Sequence, residues 1–168
     1  LRTDTGSTLQ AKYAVLSLAD FEAGTGRWFQ SYVWGRFAQP SRLVYVRDDG
    51  VRQRVHAALA QAALTLLREA LPCVPDDFDA ETIWRSGLAL SYGTEMRPEA
   101  LDRPAQLVQR NAACFSRLTA VAAPAVDGMH PLADGRYRNA LSPAQRRRGR
   151  YRWTLRRLQG RGLQVARL

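Results

Sequence analysis

This 168-residue chain is short of lysine, cysteine and histidine, and each shortage removes a class of explanation. Its two cysteines, Cys73 and Cys114, sit in apolar segments without a partner at metal-ligand spacing. Neither a zinc site nor a disulfide framework is indicated, and a reducing compartment is the simpler expectation. The two histidines, His56 and His130, have no companion ligand nearby and are assigned no role. No run approaches the roughly 20 apolar residues that span a bilayer, and the first residues lack the charged-then-apolar plan of a signal peptide. The expectation is a soluble or peripheral protein. A P-loop, a dinucleotide fingerprint and a nucleophile-base pair are also missing. The chain opens on Leu1 rather than Met, which reads as a piece of something longer.

Acidic residues are missing from one region only. The formal charge is +10, yet Pro143–Leu168 holds nine arginines and no Asp or Glu. Removing those nine from the 25 basic residues leaves 16 against 15 acids, so the body is near neutral and the basicity belongs to the tail. Lys12 is the one lysine among the 25. With 46% hydrophobic residues the body can bury a core of its own, and the length suits one domain or a domain with an appendage.

Periodicity places the elements. Lys12–Leu18 alternates enough to read as a strand, and Ala19–Ala23 and Arg27–Phe37 read as helices. Arg42–Arg47 reads as a short β-branched strand, and Asp48-Asp49-Gly50 as a turn that caps the next helix. Val55, Ala58, Leu59, Ala62, Leu66 and Ala70 keep helical spacing until Pro72 and Pro75 stop it, which marks the core helix. Asp79 caps another helix, with Phe78 and Ile83 as a hydrophobic staple. Asp102-Arg-Pro104 starts a third, whose Leu107, Val108, Phe115 and Leu118 line one face. Residues 120–141 lack periodicity and read as a linker. Ser142-Pro143-Ala144-Gln145 is a capping-box start for a last helix from about Pro143 to about Gln159.

The best site candidate is Leu88-Ala-Leu-Ser-Tyr-Gly-Thr-Glu-Met-Arg97, where an apolar helix end runs into a turn carrying Tyr92, Glu95 and Arg97. A guanidinium can fork onto phosphate oxygens, and a carboxylate two residues earlier can orient it or help hold a metal. The plainer alternative is a surface salt bridge closing a turn. Arg36, the charged residue of an apolar run, is either a core-edge side chain reaching water or a ligand-facing guanidinium.

Three segments in order carry a resemblance over nearly the whole chain: Lys12-Tyr-Ala-Val-Leu-Ser17, Trp28–Pro40 with its Gly35-Arg36, and Ser91–Arg97. They resemble the "KYGV-S", "Y-AGRL-KP" and "LSY-GD-R" segments of the mitochondrial-type phosphatidate cytidylyltransferases, the CDP-diacylglycerol synthases. Trp34 stands where that family has Ala, Gln39 where it has Lys, Thr94 where it has Gly and Glu95 where it has Asp. The resemblance implies a mainly α fold with few strands: residues 1–18 as the edge strand of a mostly missing nucleotidyltransferase domain, 19–119 as a helical, winged-helix-like accessory domain, and a basic helix in 142–168. It implies the reaction of CTP with phosphatidate to CDP-diacylglycerol and pyrophosphate, with Mg²⁺, on the path to phosphatidylglycerol and cardiolipin. No Gly-Ser followed by paired acids of the kind that would hold the triphosphate and metals is present here, so that chemistry is expected from a preceding half. Arg36, Tyr92, Glu95, Arg97 and Arg103 are the expected substrate-binding residues.

Projected at 100° per residue, Tyr151, Thr154, Leu155 and Leu158 form a thin apolar stripe on the last helix, with Trp153 opposite. Arg146, Arg147, Arg148, Arg150, Tyr151, Arg152, Trp153, Arg156 and Arg157 are expected to meet an anionic membrane surface, at the cytoplasmic face in a bacterium or the matrix side of the mitochondrial inner membrane. The alternative for the stripe is docking on the body. Two other functions stay open, a winged-helix-like nucleic-acid binder and a noncatalytic interaction module with an Arg-rich tail. The near-neutral body argues against the first.

Overall fold

A computed structural model describes residues 17–23, 37–92 and 102–160, with Tyr92 and residues 156–160 described by backbone alone. The described elements are α1 (Leu18–Ala23), α2 (Asp49–Ala70), a 3-10 turn at Leu71–Cys73, β1 (Asp77–Phe78), α3 (Ala80–Tyr92), α4 (Arg103–Arg110), α5 (Ala112–Ala122), a second 3-10 turn at Ala123–Ala125, β2 (Met129–Pro131), β3 (Tyr137–Asn139) and α6 (Pro143–Gly160). The fold is mainly helical with one small antiparallel sheet of order β1-β3-β2.

The helix starts follow local chemistry. Asp48 Oδ1 accepts from Val51 N at 2.8 Å and Asp79 Oδ1 from Thr82 N at 2.8 Å, each satisfying an amide that the first turn leaves unpaired. At α6 the capping box closes in both directions, with Ser142 N donating to Gln145 Oε1 at 2.8 Å and Gln145 N to Ser142 Oγ at 3.3 Å. Phe78 and Ile83 are both buried, as a staple requires.

The 22-residue α2 carries Ala58, Ala62, Ala63, Leu66, Leu67 and Ala70 on its buried face. Four alanines and Gly87 on α3 let the two helices come close, since a Cβ at Gly87 would collide with the Leu66 side chain. Trp84 and Phe115 meet with ring centroids 4.6 Å apart, and the indole Nε1 donates to Thr119 Oγ1 at 2.8 Å. Thr119 Oγ1 in turn donates to Phe115 O at 2.7 Å. No part of that buried chain is left without a partner, as a low-dielectric interior demands.

Three expectations are corrected. The linker at 120–141 is structural: Val126, Met129, Tyr137 and Asn139 are buried, and β2 and β3 form a hairpin whose β3 also pairs with β1 through Asp77 with Arg138 and Phe78 with Tyr137. Strands of two or three residues are too short to show a period, which is why the alternation was invisible. Arg42–Arg47 is not a strand; it has no regular secondary structure, and Val44 and Tyr45 are exposed. The single helix expected after Asp102 is broken at Asn111, whose Nδ2 donates to Leu107 O at 2.9 Å and so competes with the helical ladder. The expected strand at Lys12–Leu18 lies outside the described residues apart from its last two, and Leu18 already opens α1.

Candidate functional site

The described residues stop at Tyr92 and resume at Asp102, on either side of the segment that holds Glu95 and Arg97. On α3, Leu88 is fully buried and Ser91 is 2% exposed, so the helix that precedes that segment is fixed in the core up to its last turn. On the far side Arg103 is the first residue of α4 and is exposed, followed by buried Pro104. Proline at the start of a helix fixes the entry angle of the chain without losing a hydrogen bond. Helices α3 and α4 are in contact, so Tyr92 and Arg103 begin and end a short connection between packed elements. Arg36, Glu95 and Arg97 lie outside the described residues. Of the five expected substrate-binding residues, only Arg103 is described with its side chain.

The last helix is anchored on one side. Arg146 turns toward the body: Nη2 donates to Asn139 O at 2.9 Å, Nε to Leu141 O at 3.2 Å, and the guanidinium pairs with Asp76 at 2.5 Å. Its side chain is 17% exposed, so it is an internal clamp rather than an outward contact. Asn139 continues the clamp, with Nδ2 donating to Leu71 O at 2.7 Å and Oδ1 accepting from Leu141 N at 3.2 Å. Gly149 lies against Pro72 so closely that a Cβ there would collide with the proline ring. Gln145, Gly149 and Trp153, spaced four residues apart, therefore form the inner side.

The docked side is thus the one opposite the predicted stripe. Tyr151 and Thr154 are exposed, Leu155 is half-buried, and Arg147, Arg148, Arg150 and Arg152 make no ion pair among the described residues. The side chains of Arg156 and Arg157 lie outside what is described. Sequence reasoning missed Asn139 and Asp76, which sit in stretches without periodicity. It could have found the docking side from the Gln145, Gly149, Trp153 spacing.

Carboxylates of the body are held below their usual range. Hydrogen bonds from Thr82, side chain and backbone, do this for Asp79; the Val51 amide and then Arg47 do it for Asp48; the Arg138 guanidinium does it for Asp77. All three are structural caps or pairs. Among the described residues there is no group of three His, Cys, Asp or Glu side chains that could hold a metal ion, and no helix long and apolar enough to cross a membrane.

Comparison with known proteins decides what this scaffold belongs to. The family described as phosphatidate cytidylyltransferase, mitochondrial, matches residues 5–138. The chain belongs to that family. The mitochondrial phosphatidate cytidylyltransferase of Xenopus laevis is 29% identical over 112 residues, which is 65% of this chain and 32% of the relative. The chain thus aligns with about a third of that relative's length. The family match takes in residues 91–97, Arg36, Arg103 and the hairpin as far as Arg138, while α6 lies beyond it. No solved structure matches the chain.

Proposed function

We propose that this chain is the accessory, C-terminal part of a CTP:phosphatidate cytidylyltransferase that makes CDP-diacylglycerol for phosphatidylglycerol and cardiolipin synthesis. The observation that carries the reading is the family match across the Tyr92–Arg103 connection, together with the packing of α3 against α4 that holds both ends of it. In this reading Arg36, Arg97 and Arg103 neutralise phosphate oxygens of CTP or phosphatidate, Tyr92 lines the substrate, and Glu95 orients Arg97. In this reading Mg²⁺ is held by a part of the protein outside this chain, and no step here runs through it.

The order of elements supports a winged-helix-like plan for this part. A long helix precedes a short strand, further helices follow, and a β-hairpin then inserts its second strand between the first strand and its own partner. The outward face of α6, with Tyr151 and Leu155 near the exposed Arg147 and Arg150, is read as the surface that meets an anionic membrane. Each arginine near an anionic leaflet contributes about 1 kcal/mol. Placement on the matrix side of the mitochondrial inner membrane is the reading in keeping with the relative's name.

The test is activity in a protein that also contains the metal-binding half. Arg97→Ala should lower kcat/KM about a hundredfold, the loss of a charge-assisted contact of about 2–3 kcal/mol, while the melting temperature barely moves. A variant that melts early but keeps full activity per folded molecule would show Arg97 to be a structural closure of the turn.

A further inference from the structure

The docking of α6 leaves a cleft that the reading above does not use. It lies between the last turn of α2, the Leu71–Cys73 turn and the inner side of α6, with a volume of about 340 Å³. Among the described residues its charged lining is Arg68, Arg148 and Arg152 with one acid, Glu69. Pro72, Leu141, Gly149 and Trp153 supply apolar surface beside those charges.

The cations are positioned in different ways. Arg68 Nη2 donates to Ala125 O at 2.8 Å, which ties the guanidinium to the body and leaves its other N–H groups for a ligand. Arg148 and Arg152 are one turn apart on α6, so they share a side of the helix, and neither makes an ion pair among the described residues. Gly149 between them allows α6 to rest on Pro72, which brings the arginines of α6 and Arg68 of α2 to the same cleft. Three guanidinium groups against one carboxylate leave an uncompensated positive charge. Planar guanidinium forks match the oxygens of phosphate better than those of a point anion, and the neighbouring indole and proline suit a ligand with a nonpolar part next to that phosphate. The volume sits at the lower end of small-ligand sites, enough for one phosphate group and a glycerol-sized attachment.

We propose that this cleft is a binding site for a phosphate-bearing anion, gripped by Arg68, Arg148 and Arg152 beside Trp153. The inference holds whether or not the outer face of α6 lies on a membrane. Lipid headgroups and free phosphate compounds share the required chemistry, and the test separates them.

The full chain is labelled at its tryptophan indoles, the Trp153 resonance is assigned with Trp153→Phe, and the protein is titrated with inorganic phosphate, glycerol 3-phosphate and dihexanoyl phosphatidylglycerol below its micelle concentration. The Trp153 indole signal should shift saturably. In Arg148→Ala/Arg152→Ala the dissociation constant should rise at least about tenfold, as expected for losing charge-assisted contacts. Arg147→Ala/Arg150→Ala removes the same charge from residues outside the cleft lining and should change it less than about threefold. Should the double variant lose structure, Arg152→Ala alone supplies the comparison. Tighter saturation by the short-chain lipid assigns the site to a headgroup; equal saturation by all three assigns it to phosphate itself. A Trp153 signal that never saturates, or an equal loss in both double variants, overturns the proposal.

Discussion

The body and the last helix are built on opposite economies of charge. In the body α2 and α3 start on aspartate caps and α4 on a proline, acids and bases nearly balance, and the largest buried side chain, Trp84, is locked by a hydrogen bond to Thr119. In α6 there is no acid at all, and its attachment rests on an arginine clamp at one end and a glycine against a proline in the middle. The difference teaches that α6 was not recruited to enlarge the core. A helix meant only for packing would carry a broad apolar face on the docked side, and this one places a single large apolar side chain, Trp153, there beside Gln145 and Gly149 and leaves Tyr151 facing out.

The contrast is broken most severely in the body. Trp84→Ala should cost about 3–5 kcal/mol, because it removes a fully buried indole and strands the acceptor side of Thr119. Chemical denaturation measures it; a loss under about 1 kcal/mol would mean that the α2–α3–α5 contact is not the core. Gly149→Val should cost less, about 1–3 kcal/mol, as α6 is pushed off Pro72. Its signature is a change at Trp153 with the Trp84 environment intact.

The outer face gives a smaller effect. Tyr151→Ser/Leu155→Ser should weaken binding to vesicles containing phosphatidate or cardiolipin about fivefold to tenfold, from apolar area withdrawn from lipid, without altering thermal stability. Cosedimentation against purely zwitterionic vesicles and competing RNA decides it, and unchanged binding would place the contact elsewhere.

Acid should act on the body more than on α6. Asp79, Asp48 and Asp77 have folded values below their unfolded ones, so their contribution is fully present above the unfolded range near 4 and is lost as pH falls through the lower folded values. Stability should therefore decline below about pH 4. Asp79→Ala should cost about 1 kcal/mol at neutral pH and flatten part of that decline; an unchanged acid slope would remove Asp79 from the account.

Much of the helical frame was legible because caps and long periodic runs are local signals. Asp48, Asp79 and the Ser142–Gln145 box each announced a start that the structure keeps. The hairpin was not legible. Residues 120–141 contain Ala, Pro and Gly in abundance, and the buried positions Met129, Tyr137 and Asn139 draw their meaning from β1 and the Leu71–Cys73 turn, far away in sequence. Of the candidate turn, its supporting helix ends were readable from Leu88 and Pro104. The docked side of α6 was missed because hydrophobicity drew attention to Tyr151 and Leu155, whereas contact with the body is made through a charged residue, Arg146, and one that has no side chain, Gly149.

The pairing of Asp77 with Arg138 has a further consequence, for the order in which the molecule can be made. Residues 61 apart must meet before Phe78 is covered by Tyr137, and closing a loop of that size costs on the order of 3–4 kcal/mol of chain entropy. Helices α2 and α3 can meet early, since they are close in sequence, but β1 waits for the hairpin. A chain cut before Tyr137 leaves Phe78 without its stacking partner and the Leu71 carbonyl without the Asn139 amide. Synthesis past Asn139 is thus the step that commits the polypeptide, and only then does Arg146 find the carbonyls that seat the basic helix.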